Sequence, residues 1–259
     1  MPQRHYGLNF VHPGATQPKH LYRVAPTRAN PPKVDLSTPP MPAPFEPCLD
    51  QEALGACGPN AVAENLVHEA LEEGETDVPL PSRLFIYWIS RSVMGTVYQD
   101  SGVENAKMFG AIGRYGFCDE SLWPYNIARF RSRPTLACFS QARTRTPLDY
   151  AVVPQDIDQI RSCLADRKPF VYGFQVYQSF ESNATEKTGI VSMPSNTEQF
   201  LGGHDVLVVG YDDSSGYLKF KNSWGPDWGD HGYGYMPYAY ALDPALSGDF
   251  WSIERIGHP

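Results

Sequence analysis

Asn222-Ser-Trp224-Gly-Pro-Asp-Trp228-Gly-Asp-His-Gly-Tyr233 is the stretch on which the reading of this chain turns. It follows a strand pattern, Gly216-Tyr-Leu-Lys-Phe-Lys221, and runs into another, Gly232-Tyr-Gly-Tyr-Met236. Upstream, Gly202-Gly-His204-Asp-Val206 leads into the apolar run Val206-Leu-Val-Val209. Two adjacent antiparallel strands would hold His204 and Asn222 side by side. An imidazole takes up and returns a proton near neutral pH. An Asn side-chain oxygen accepting its N–H can aim it, and Trp224 is placed to cover that hydrogen bond. Singly, each residue has a plainer reading. A His at a strand end is commonly structural, and an Asn-Ser pair is commonly a turn.

The partner such an imidazole needs is a nucleophile, and Gln51-Glu-Ala-Leu-Gly-Ala-Cys57-Gly-Pro-Asn-Ala61 offers one. Val62, Leu66 and Ala70, with Ala63, Val67 and Leu71 beside them, trace an apolar stripe and predict a helix ending near Gly74. Pro59 suits a first turn, where its missing N–H costs nothing. Cys57 therefore falls at a helix N-terminus, where unpaired N–H groups and the dipole favour a thiolate. Gln51, six residues earlier, could supply an amide donor to a developing oxyanion. Taken alone, Cys57 would be read as a core cysteine.

Composition narrows the classes. The hydrophobic content of 42% fits a folded globule, and 259 residues suffice for a sizeable core. With net charge −8 and no basic block, nucleic-acid binding is not expected. No apolar run approaches the roughly 18 residues of a membrane span. The N-terminus shows no signal-peptide core, which points to a cytoplasmic protein or one exported by a non-standard route. No metal or cofactor motif stands out, and a monomer is expected. The cysteines are Cys48, Cys57, Cys118, Cys138 and Cys163, an odd number, and without a secretory signal they read as reduced.

Residues 1 to about 46 are dense in proline and read as an extended strap, with Tyr6, Leu8, Phe10, Val11 and Leu21 as docking points. Pro81 to Arg91 reads as a helix capped by Ser82, and Val103 to Tyr115 as another that ends before Gly116. Asp156 to Ala165 is a helical pattern that buries Cys163. Phe170 to Tyr177 and Phe250 to Ile253 read as strands, and Glu181 to Phe200 as a long polar loop. Helices first and strands second predict an α+β chain, with a helical half at about 48–150 and an antiparallel, barrel-like β half at about 151–259.

The joint pattern resembles the papain-like cysteine peptidases. Gln51 six residues before Cys57, Gly-Gly-His204 before a strand, and Asn-Ser-Trp-Gly-x-x-Trp-Gly-x-x-Gly-Tyr all match, over roughly residues 32–256. Leu122-Trp-Pro-Tyr125, Phe174 to Phe180, Met236-Pro-Tyr238 and Asp249-Phe-Trp251 are shared with bacterial members that lack the long helical pro-segment. The resemblance implies a peptidase domain at 32–259 behind a proline-rich extension at 1–31, itself a strap or short pro-segment. It implies a helical subdomain and a barrel-like β subdomain with a substrate cleft between them. The activity implied is that of a thiol endopeptidase on peptides or proteins through a thioester acyl-enzyme. Cys57 is then the nucleophile, His204 the acid–base, Asn222 its orienting partner, and Gln51 with the Cys57 N–H the oxyanion hole. Ser101, Gly102, Glu104, Gly203, Asp205 and Trp224 line the cleft. Asp205, just after His204, would wall the S2 pocket and with Glu104 favour Lys or Arg at P2. Two positions depart from the pattern. Leu54 replaces a family cysteine, removing a disulfide, and Gly58 replaces the aromatic after the nucleophile. The alternatives are a non-catalytic or autoinhibited protein on the same fold, or a transpeptidase or ligase using the same triad.

Overall fold

The computed structural model describes residues 8, 21–22, 29–37 and 48–257. The expected docking points Tyr6, Phe10 and Val11 lie outside these.

Helix α1 (Cys57–Glu72) starts at the cysteine, as the sequence predicts. It does not show the one-sided stripe expected of it. Every residue from Cys57 to Ala70 is buried. Helices α2 (Arg83–Met94) and α3 (Asn105–Tyr115) pack on one side of it, and the β-sheet closes the other. A helix enclosed on both sides keeps polar groups only if each has a partner. His68 Nε2 accordingly lies 2.8 Å from the Arg167 carbonyl.

The ends of α2 follow from local chemistry. Ser82 Oγ accepts the Phe85 N–H at 3.1 Å, and Gly95 closes the helix with φ 75°. The same Oγ donates to the Trp123 carbonyl at 2.6 Å. Ser82→Ala removes both bonds and should cost about 1–2 kcal/mol in a urea titration. At the end of α3, Gly116 has φ 74°, and a Cβ there would lie 1.7 Å from the Ala142 carbonyl oxygen. Only glycine fits that corner.

Seven strands form one antiparallel sheet: β1 (Lys33–Asp35), β2 (Thr146–Val152), β3 (Phe170–Tyr177), β4 (Phe200–Asp212), β5 (Tyr217–Lys221), β6 (Tyr233–Pro237) and β7 (Ser247–Gly257). The order is β2-β7-β3-β4-β5-β6, with β1 added to the far end of β4. The sheet is open, with β2 and β6 at its ends, rather than closed as a barrel. Strand β4 is the axis. Its first part pairs with β3 and its second with β5 and β1. It begins six residues earlier than the apolar run 206–209 suggests, and that extra length carries Gly202, Gly203 and His204.

Helix α5 (Ile157–Ala165) is capped by Asp156 and buries Cys163 as expected. Two helices, α4 (Leu136–Ala142) and α7 (Tyr238–Leu242), had no clear sequence signal. Within the expected polar loop at 181–200, residues Asn183–Thr188 form a helix, α6. Ser182 accepts the Thr185 N–H and Gly189 ends the turn with φ 70°, while Thr185 is its one buried residue. Caps rather than an apolar stripe make this helix, so hydrophobic periodicity misses it. Strand β2 also escaped the sequence reading, because it carries Pro147 and irregular pairing to β7. Pieces of the N-terminal strap dock on this frame. Tyr22 N–H donates to the Val152 carbonyl at 2.9 Å, and Leu8 lies against Gly202.

Candidate active site

Three chain segments converge at one end of α1. The first is residues 48–57. The second is β4 with His204, whose register partner on β3 is Phe174. The third is the turn after β5, which starts at Asn222. The first and third are zipped together. Gln51 N–H donates to the Ser223 carbonyl at 2.8 Å, Gly225 N–H to the Leu49 carbonyl at 3.0 Å, and Asp50 bridges Trp224.

His204 Nε2 lies 2.8 Å from Asn222 Oδ1. Ser223 N–H donates to the same oxygen at 2.8 Å, which fixes the amide orientation. Asn222 Oδ1 is therefore the acceptor, Nε2 carries the hydrogen, and the neutral ring keeps its lone pair on Nδ1. That Nδ1 is buried without a hydrogen-bond partner among the described residues. Trp224, Phe174 and Phe180 surround the imidazole, with ring centroids at 5.0, 5.6 and 6.1 Å. Burial in this cage lowers the His204 pKa to about 4, and the Asn222 bond opposes the shift.

Cys57 is 2% exposed at the first position of α1. Burial pushes its thiol up, Asp205 adds to that, and backbone N–H groups including that of Gly58 oppose it. Cys48 lies elsewhere: its thiol donates to the Asn222 carbonyl at 2.9 Å, against the backbone of that turn.

Gln51 is fully buried and locked. Its Oε1 accepts from Ser223 Oγ at 2.7 Å, and its Nε2 donates to the Leu54 carbonyl at 3.0 Å. Asp100 accepts the Gly55 N–H at 3.0 Å and a bond from the Tyr87 hydroxyl. It thus braces the loop ahead of Cys57. Nothing in the local sequence marks that role.

The expected cleft residues are placed more variously. Gly203 is buried in β4 opposite Gln175. Gly102 N–H lies 3.3 Å from the Tyr87 hydroxyl, and its carbonyl accepts from Ser101 Oγ at 3.1 Å. Both main-chain groups therefore have partners within the chain. Glu104 precedes α3 and is partly exposed. Asp205 departs from its expected part as an open S2 wall. It is 1% exposed, its Oδ1 accepts from Asn105 Nδ2 at 2.8 Å, and its Oδ2 lies 3.7 Å from Cys57 Sγ. The carboxyl is turned to the thiol because the Asn105 amide at the start of α3 holds it there. Among the described residues no group of three or more His, Cys, Asp or Glu is arranged to hold a metal. No helix among them is long and apolar enough to cross a membrane.

A helix-start cysteine and a buried histidine bonded to an asparagine thus lie where a helical half meets an antiparallel sheet. The family model of papain family cysteine proteases matches residues 98–241. That span takes in His204 and Asn222 and stops short of Cys57. An uncharacterized peptidase C1-like protein of Acanthamoeba polyphaga mimivirus is 36% identical over 219 residues, 82% of this chain and 70% of that protein. A cathepsin B-like protein of Giardia intestinalis, CP3, is 40% identical over 93 residues, covering 33% of this chain and 27% of its own. Among solved structures, xylellain, a cysteine protease from Xylella fastidiosa, superposes with TM-score 0.88 at 32% identity over 98% of both chains. The chain belongs to the papain family of cysteine proteases, and is a peptidase acting on peptide or protein substrates.

Proposed function

We propose that this peptidase is an endopeptidase in which Cys57 is the nucleophile, His204 the general acid–base, Asn222 the group that orients His204, and Gln51 with the Cys57 N–H the oxyanion hole. The observation that carries the reading is Asn222 Oδ1, which accepts from both Ser223 N–H and His204 Nε2 and so leaves a buried basic Nδ1. In the reaction Nδ1 takes the Cys57 proton, and Sγ attacks the scissile carbonyl carbon. The tetrahedral oxyanion forms against the Gln51 amide and the backbone N–H. The imidazolium then protonates the departing amine and leaves a thioester on Cys57. Water attacks that thioester, giving its proton to Nδ1, and the acid is released with the thiol restored. The peptidase domain is assigned to residues 32–259, with 1–31 as a proline-rich extension ahead of it. An extended substrate pairing with Gly102 would displace the Tyr87 and Ser101 hydroxyls.

The test is labelling of the full chain with an epoxide warhead specific for papain-like thiols. Labelling is expected on Cys57, lost in Cys57→Ala and kept in Cys48→Ala. Label that persists in Cys57→Ala and vanishes in Cys48→Ala would move the nucleophile to Cys48 and end this assignment.

A further inference from the structure

Gly58, where the family pattern has an aromatic, and Asp205 meet in space. A Cβ on Gly58 would lie 3.2 Å from Asp205 Oδ2 and 3.3 Å from both Met108 Cε and Val103 Cγ2. The volume that an aromatic would need there is taken up in part by the Asp205 carboxyl, which comes within 3.7 Å of the Cys57 sulfur. We propose that Asp205 is a positioning residue for the nucleophile: in its protonated form it donates a hydrogen bond to the Cys57 thiolate, so the reactive thiolate–imidazolium pair exists with Asp205 neutral and is lost when Asp205 ionises. The inference rests on Cys57 being the nucleophile.

The surroundings of the carboxyl argue for a proton on it. From α1 it faces Cys57 and Gly58, and from α3 the neutral Asn105 amide at 2.8 Å. From β3 its register partner is Gly173. From β7 the Asp249 carboxyl acts on it, and Glu104 in turn acts on Asp249. His204 precedes it in β4, with Nε2 committed to Asn222. No lysine or arginine is among these groups, and the one that can become a cation is His204. The Asn105 Nδ2 bridge reaches on to the Asp249 carbonyl at 3.3 Å, and Asp249 Oδ2 is buried with no hydrogen-bond partner among the described residues. Burial, reinforced by Asp249 and opposed by the Asn105 amide and the Cys57 thiol, pushes the Asp205 pKa up to about 7, and burial raises Asp249 to about 6. A second negative charge beside the carboxyl would hold its proton more firmly still. Removing the proton puts two like charges in contact in a dry site, and the thiolate returns to the thiol. In the proposed reaction the Cys57 proton goes to His204 Nδ1, and Asp205 keeps its own throughout.

The experiment measures alkylation of Cys57 by iodoacetamide in the full chain against pH, read residue by residue by mass spectrometry. In the wild type the Cys57 rate should fall about tenfold between about pH 6 and about pH 8 as Asp205 loses its proton. Asp205→Asn keeps a neutral donor, so its rate should stay level across that interval. Asp205→Ala keeps neutrality without the donor and should be level but slower. Asp249→Asn leaves Asp205 intact and removes a charge that raises its pKa, so it should move the fall to lower pH; this variant serves if Asp205 variants do not fold. A reactive Cys57 whose rate falls in parallel in wild type and Asp205→Asn, or a fall unmoved by Asp249→Asn, overturns this inference alone. A Cys57 no more reactive than Cys118 or Cys163 at every pH overturns the nucleophile assignment and this inference with it.

Discussion

His204→Ala is expected to lower kcat/KM on a fluorogenic peptide by about four orders of magnitude, within the range seen when one member of a nucleophile–base pair is removed. The size follows from the two steps that use Nδ1. Without it, Cys57 has no base to take its proton in a site that holds the thiol well above its usual range. The departing amine has no acid either, and an unprotonated amide nitrogen is a very poor leaving group. The substitution also empties a ring-sized space among Trp224, Phe174 and Phe180, so it should cost about 2–4 kcal/mol of stability as well. His204→Gln fills more of that space and separates the two effects: it should recover stability and not activity. Activity within about tenfold of the parent in a variant shown folded by near-ultraviolet circular dichroism would remove His204 from the mechanism.

Lys221→Met should destabilise the fold by about 3–5 kcal/mol in a urea titration, because it removes the cation that faces the Glu64 carboxylate in the core. Lys221 Nζ lies 3.1 Å from Glu64 Oε1, with the two side chains 0% and 5% exposed. Glu64 is on α1, two turns beyond Cys57, and Lys221 immediately precedes Asn222. The pair thus joins the helix that begins at the candidate nucleophile to the strand that ends just before Asn222, the hydrogen-bond partner of His204. Glu64→Leu combined with Lys221→Met should recover most of the loss, since an apolar pair of similar volume avoids the desolvation cost. If the double variant is as unstable as Lys221→Met, the ion pair itself rather than the stranded charge carries the stability.

Much of this was legible in the chain before folding. Cys57 at a helix start was readable from Pro59 and the apolar spacing after it, which are local backbone signals. The approach of His204 and Asn222 was readable because strand β5 follows β4 after a short turn, and neighbouring antiparallel strands place nearby residues side by side. What escaped had no local signal. Helix α6 is made by its caps, and β2 carries a proline at the end of the sheet. Asp100, Asn105 and Asp249 act through contacts with residues far away in sequence.

Asp205 shows the same boundary most sharply. From its place after His204 it was expected to wall a substrate pocket, and Gly58 looked only like a missing aromatic. The sequence by itself determined the candidate groups, a cysteine on a helix start and an imidazole beside an amide, because spacing along a helix and pairing between neighbouring strands are set over short stretches of chain. Only the tertiary structure decided that Asp205 turns to the thiol. That depends on α1, α3 and β7 arriving together around β4, where the Asn105 amide holds the carboxyl beside the side-chain-free Gly58.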